Sequence, residues 1–115
     1  MKRGDVYWAS LIPRSGSEQT GRRPVIVLSR DVFNQAVGWR SVIVVPVSSS
    51  PSQARRGPTA VLLAAGTGGL AQESVALCHQ VTTLDRSKLD ALLGSLTVTQ
   101  LREVEEGLRV ALGMV

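Results

Sequence analysis

The segment Val42-Ile43-Val44-Val45-Pro46-Val47 constrains this chain more than any other, because five of its six residues are β-branched. Side chains branched at Cβ lose rotamer freedom in a helix and pack well on a pleated surface, so the segment reads as a strand. Pro46 cannot donate to a ladder, which puts it at an edge, a bulge or a bend near the strand end. Val25-Ile26-Val27-Leu28-Ser29 reads as another buried strand. Only four of the 115 residues are aromatic, namely Tyr7, Trp8, Phe33 and Trp39. The core is therefore aliphatic, and no row of rings is available to stack on bases.

Other segments follow the same logic. Residues 5–11, between Gly4 and Pro13, read as a first strand with Val6, Trp8 and Leu11 inward. Residues 59–63 make a fourth strand, 66–69 a turn, and 74–81 a fifth strand with Val75, Leu77 and His79 on one face. Residues 31–34 suit one helical turn capped by Asp31. The spacing of Leu89, Leu92 and Leu93 predicts a short helix capped by Asp85. Thr97 and Gln100 match a capping box, and Val98, Leu101, Val104, Leu108 and Leu112 then form a helical stripe. Gly107 costs that helix about 1 kcal/mol relative to alanine, which points to close packing. The expected architecture is one mainly β (α+β) domain over residues 1–115: a small curled sheet or barrel with helical cover.

Charge is unevenly distributed. Residues 1–60 hold nine Lys/Arg against three Asp/Glu, whereas residues 61–115 hold four against six. Arginine supplies 11 of the 13 cations, which favours bidentate contacts to phosphate on a polyanion-binding face. Cys78 is the sole cysteine and has apolar neighbours, so it reads as a buried structural thiol in a reducing compartment. No apolar run approaches membrane-spanning length, and Met1-Lys2-Arg3-Gly4-Asp5 leads into no signal-like stretch. A soluble, cytoplasmic protein with no membrane contact is expected.

Two places carry candidate chemistry. Arg22-Arg23-Pro24 ends a pliable loop just before an apolar strand, and Pro24 pushes Arg23 toward an extended conformation. A guanidinium held there is placed to grip an anion such as phosphate. Taken alone, the pair reads more simply as two solvated loop charges. Ser48-Ser49 ends the strand at 42–47, where hydroxyls can donate to a phosphate oxygen; alone it reads as a serine-rich turn. One cysteine and one histidine cannot build a structural zinc site, no P-loop is present, and no carboxylate cluster suits two-metal chemistry. An enzyme of this sequence is expected to work without metal or cofactor.

Taken together, the motifs point further. Lys2-Arg3-Gly4-Asp5-Val6-Tyr7-Trp8, Gly16-Ser17-Glu18-Gln19, Gly21-Arg22-Arg23-Pro24-Val25-Ile26-Val27-Leu28-Ser29, Asn34, Val45-Pro46-Val47-Ser48-Ser49 and Leu70-Ala71-Gln72-Glu73-Ser74-Val75-Ala76-Leu77 occur in one order over nearly the whole chain. This ordered set resembles the MazF/PemK (Kid) toxin family of toxin–antitoxin systems. The resemblance implies an SH3-like β-barrel with a C-terminal helix, acting as a homodimer and neutralised by an antitoxin segment lying across an RNA groove. It implies a sequence-specific endoribonuclease acting on single-stranded RNA. Arg23 matches the family's catalytic arginine and Ser48 a catalytic position usually held by threonine. Ser17, Glu18 and Gln19 match positions that help bind RNA. Arg22 and Ser49 are added as backbone contacts, and His79-Gln80 as a further RNA-binding pair.

The chemistry suits those residues. A 2′-hydroxyl attacking its own 3′-phosphate leaves a 2′,3′-cyclic phosphate and a 5′-hydroxyl, and the route needs no metal. Arg23 and Ser48 would stabilise charge on the pentacoordinate phosphorus. Arg23 stays protonated, so it is not a general base. Serine at 48 keeps the hydroxyl but loses the methyl that restrains χ1. His79 stands where many members carry an acidic residue, and reads as an RNA contact, a base near neutral pH or a determinant of sequence preference, or else as a structural or surface histidine. Trp39 reads either as a base-stacking ring or as packing at a dimer interface. The competing functions are a non-enzymatic gyrase poison of the same fold, like CcdB, and a nucleic-acid-binding barrel without catalysis.

Overall fold

From Val44 to Ser48 every residue of the strand Ser41–Ser48 is buried. The computed structural model describes residues 1–12, 15, 16, 18, 20–50, 52 and 57–114. Among them are seven strands: β1 (Asp5–Ser10), β2 (Arg22–Val27), β3 (Ser41–Ser48), β4 (Ala60–Leu63), β5 (Ser74–Leu77), β6 (Thr82–Asp85) and β7 (Leu89–Ser95). They pair antiparallel in the order β4-β5-β3-β2-β1-β7, with β6 also on β3. Helices α1 (Asp31–Asn34) and α2 (Val98–Leu112) complete the described elements, with three short 3₁₀ turns.

Strand alternation sends side chains into two separate clusters. Val6, Ile26, Leu28, Val45 and Val47 join Leu63, Leu70, Ala76, Cys78 and Val104 on one side. Ala9, Val25, Val27, Val42 and Val44 join Leu11 and Leu84 on the other. A sheet curled so that its middle strands face two cores explains why residues 42–47 are almost continuously apolar. Each such side chain contributes about 1.5–3 kcal/mol by its burial.

Pro46 sits where β3 changes partners. Its outer neighbour is β6 as far as the Val44–Thr82 pair and β5 from the Val47–Ala76 pair onward. On the inner side Leu28 N–H donates to Ile43 O at 2.8 Å, so alternation makes Val25–Pro46 a non-bonded pair. The proline nitrogen therefore faces the break between β5 and β6, where no ladder bond is lost. In place of the expected edge, bulge or bend, the structure has a change of partner strand at this point.

Three expectations need correction. Residues 89–93 form β7, not a helix, because β1 offers an unpaired edge and strand pairing there overrides the local spacing. Two register shifts in the β1–β7 ladder break simple alternation, so Leu89 packs on one cluster and Leu93 on the other. Residues 74–81 are not one strand: β5 stops at Leu77, a 3₁₀ turn (Cys78–Gln80) follows, and β6 was not anticipated. Asp31 does not cap α1 but is its first residue; its carboxylate accepts the Arg3 N–H at 2.6 Å instead. Asp85 does act as a cap, but of the 3₁₀ turn Arg86–Lys88, accepting from Ser87 N–H at 2.9 Å.

The curl brings the edge strand β7 against the turn before β5. A Cβ on Gly94 would lie 2.8 Å from the Gly68 carbonyl carbon, so only glycine lets the two backbones meet. The pairing path itself stays open, an antiparallel sheet rolled toward a barrel. At the far end, α2 carries the expected capping box: Gln100 N–H to Thr97 Oγ1 at 3.2 Å, and Thr97 N–H to Gln100 Oε1 at 2.9 Å. Such a cap is worth about 1 kcal/mol. Its middle residues Val104 and Gly107 are buried, whereas the stripe's ends Val98 and Leu112 are exposed.

Candidate functional site

Pro24 opens a groove. Continuing the β2–β3 register past Val25–Pro46 would make Pro24 and Val47 the next hydrogen-bonded pair, yet proline has no N–H to give. The pairing stops at Val25–Pro46, and a groove of about 260 Å³ lies at these strand ends. Trp8, Arg22, Arg23 and Pro24 line it from β1 and β2, and Val47 and Ser49 from the end of β3. Its other wall is the segment from Gly69 to Gln72, with Ser74 and Leu93.

The two arginines are held differently. Arg22 lies with its guanidinium carbon 4.5 Å from the centre of the Trp8 ring. Its Nη2 and Nε donate to the two Asp90 carboxylate oxygens at 3.0 and 3.3 Å. The Arg22 hydrogen bond, reinforced by the Ala91 N–H, holds the Asp90 carboxyl below the usual carboxylate range. Arg23 is half-buried, and its Nε donates to Thr20 O at 3.1 Å. Among the described residues no carboxylate pairs with Arg23, so its outer N–H groups remain available to an anion.

The serines divide. Ser49 is exposed and lines the groove, whereas Ser48 is 3% exposed and is not among the lining residues. Ser48 Oγ accepts the Ser50 N–H at 3.1 Å, which occupies a lone pair and leaves the hydroxyl hydrogen to donate. The β2–β3 ladder ends at Val25–Pro46, two positions short of an Arg23–Ser48 pair, and on its other side Ser48 pairs with Val75 of β5.

Other expected site residues lie elsewhere. His79 is exposed and Gln80 half-buried, both in the 3₁₀ turn after β5 and neither on the groove. Glu18 is exposed, with Oε1 accepting from Ser15 Oγ at 3.1 Å. Ser17 and Gln19 lie outside the described residues. Trp39 packs in a tilted arrangement against Phe33 with ring centres 4.9 Å apart, and it is not among the groove-lining residues. Among the described residues no three His, Cys, Asp or Glu side chains come together as a metal set.

Sequence reading passed over Trp8, Gln72, Ser74 and Asp90 as site residues. Gln72 and Ser74 belong to the ordered motif from Leu70 to Leu77, and that was the signal available for them. Ser74 is buried and its Oγ donates to Gln72 O at 2.8 Å, which shapes the wall of the groove. Trp8 and Asp90 meet Arg22 only through tertiary structure.

The structure is thus a rolled antiparallel sheet with a covering C-terminal helix and an arginine-lined groove at its strand ends. The chain belongs to the PemK-like, MazF-like toxin family of type II toxin–antitoxin systems, whose model matches residues 2–112. It is 34% identical over 115 residues to Endoribonuclease EndoA of Bacillus subtilis, covering 100% of this chain and 97% of that protein. Among solved structures, MazF (Form-I) from Deinococcus radiodurans superposes with a TM-score of 0.81 at 33% identity, covering 99% of this chain and 97% of that one. A MazE–MazF structure (Form-II) from the same organism matches with a TM-score of 0.75 at 32% identity, covering 100% and 97%. No described helix is long and apolar enough to cross a membrane.

Proposed function

We propose that this chain, acting as one domain over residues 1–115, is a toxin endoribonuclease that cuts single-stranded RNA without a metal and so halts translation. The observation that carries this reading is the Arg23 guanidinium, which borders the groove with no carboxylate partner among the described residues. In the proposed reaction the 2′-oxygen forms a bond to phosphorus and the bond from phosphorus to the 5′-oxygen breaks. The 2′-hydroxyl gives up its proton and the leaving 5′-oxygen takes one up. The products are a 2′,3′-cyclic phosphate and a 5′-hydroxyl. Arg23 supplies fixed positive charge to the phosphorane, a contribution typically worth about 2.7–4 kcal/mol per donor.

Ser48 donates its free hydroxyl hydrogen to the same phosphate, and Ser49 contacts the adjoining backbone from the groove. Ser17, Glu18, Gln19, Arg22, His79 and Gln80 bind the RNA on either side. His79 and Gln80 lie off this chain's groove, so their contact suits RNA running across a homodimer. The protein is cytoplasmic, and its partner is an antitoxin whose segment occupies the RNA groove. The family match and the MazE–MazF likeness support that partner.

Incubating a long RNA with purified protein in EDTA, followed by primer extension, tests the reading. Cuts at one recurring sequence, absent with Arg23→Ala, are expected. Intact RNA together with inhibited DNA supercoiling would replace the ribonuclease with a gyrase poison. Binding without turnover would leave only a nucleic-acid-binding barrel.

A further inference from the structure

Arg22 offers the groove a surface different from that of Arg23. Its fork is already occupied by Asp90, so it is poorly placed to give a bidentate grip to phosphate. Its guanidinium carbon lies over the Trp8 ring, 4.5 Å from the ring centre. What remains is the outer face of the guanidinium plane, on a side chain that is 56% exposed and borders the groove. Guanidinium planes over aromatic rings are established stacking surfaces for nucleobases.

We propose that Trp8 and Arg22, braced at the guanidinium edge by Asp90, form a two-layer platform on which one unpaired base of the RNA stacks. Trp8 is the floor and Arg22 the contact surface. Asp90 is the positioning residue: it fixes the plane and neutralises its charge. Each base presents a π-face, so the platform holds the strand in register without reading the base edge. Asp90 is 68 residues from Arg22 in sequence, and the pair exists only because β7 docks on β1 beside β2. This inference rests on the proposed ribonuclease reading.

The test uses an RNA spanning the mapped cut site, made uncleavable by one 2′-deoxyribose, with an abasic ribose placed at each position in turn. Affinities are measured for the wild type, Arg22→Lys, which keeps the charge but loses the plane, and Asp90→Ala. One abasic position should cost the wild type about tenfold in affinity. Arg22→Lys should lose a similar factor on the complete RNA and become indifferent to that position, with its salt dependence unchanged. Asp90→Ala frees Arg22 toward phosphate, so discrimination at that position should fall and the slope of log affinity against log salt should steepen by about 0.7. A merely structural Asp90 would not move that slope. Arg22→Lys binding like the wild type, or losing affinity equally at every abasic position, overturns the platform. An unchanged slope and unchanged discrimination in Asp90→Ala overturns the role of Asp90. A wild type that neither cuts nor binds RNA overturns the ribonuclease reading and the platform together; one that cuts yet shows no abasic-sensitive position overturns the platform alone.

Discussion

Arg23 donates from Nε to the carbonyl oxygen of Thr20 at 3.1 Å, so the loop preceding β2 orients a guanidinium that has no carboxylate partner among the described residues. One edge of the group is thereby committed and the other is left for an anion.

Removing the guanidinium should therefore affect chemistry and not folding. Arg23→Ala is expected to lower kcat by about 10²–10³, the usual loss for one transition-state donor. Its unfolding free energy should stay within about 0.5 kcal/mol of the wild type. Arg23→Lys keeps the charge but lacks the Nε that meets Thr20, so it should recover only part of the rate. Single-turnover cleavage combined with urea melts checks both quantities.

Ser48 and Ser49 are separable by their surroundings. Ser48→Ala removes the acceptor of the Ser50 N–H and should cost about 1 kcal/mol of stability along with the larger fall in kcat. Ser49→Ala, on the open groove, should leave stability unchanged and raise KM more than it lowers kcat. Reversed kinetic effects would move the catalytic hydroxyl from Ser48 to Ser49.

The seam between α2 and the sheet has no spare room. A Cβ at Gly107 would fall 2.7 Å from Val61 Cγ2 and 2.9 Å from Cys78 Sγ. Gly107→Ala should destabilise the protein by about 1–3 kcal/mol through overpacking, outweighing the roughly 1 kcal/mol that alanine adds to a helix. A thermal melt shows which effect wins, and activity per folded molecule should not change.

Cys78 gives stability a pH dependence at the alkaline end. Burial pushes its thiol from an ordinary value near 9 up to about 11, and its Sγ contacts Val104 O at 3.4 Å. The charged form is the disfavoured one, so the unfolded chain releases this proton first. Stability from this group is full below pH 9 and is lost as pH rises through about 11. Unfolding measured across that window should fall more steeply for the wild type than for Cys78→Ala; parallel curves would contradict it.

Much of this was legible where the chain's local preferences and its tertiary demands agree. The strand around Val44, the capping box at Thr97, the tight seam at Gly107 and the buried thiol all follow from residue chemistry. The ordered motifs paired Arg23 with Ser48 as catalytic residues and gave Ser49 as an RNA contact; in the structure Arg23 and Ser49 line the groove and Ser48 does not. Leu89, Leu92 and Leu93 were misleading because helical spacing and a twice-shifted strand register give the same apolar pattern. His79 was expected on a strand face, but the break between β5 and β6 turns it outward. The contact of Arg22 with Asp90 was invisible, since it depends on β7 closing against β1, a pairing set by no local signal.

The most direct test of the central claim is cleavage of two RNAs that differ by one atom. One carries ribose throughout, and the other a single 2′-deoxyribose at the mapped cut site. In EDTA the first should be cut, leaving a 2′,3′-cyclic phosphate, and the second should survive at that position. Cleavage of both at equal rates would show that the 2′-hydroxyl is not the nucleophile and would contradict the role given to Arg23.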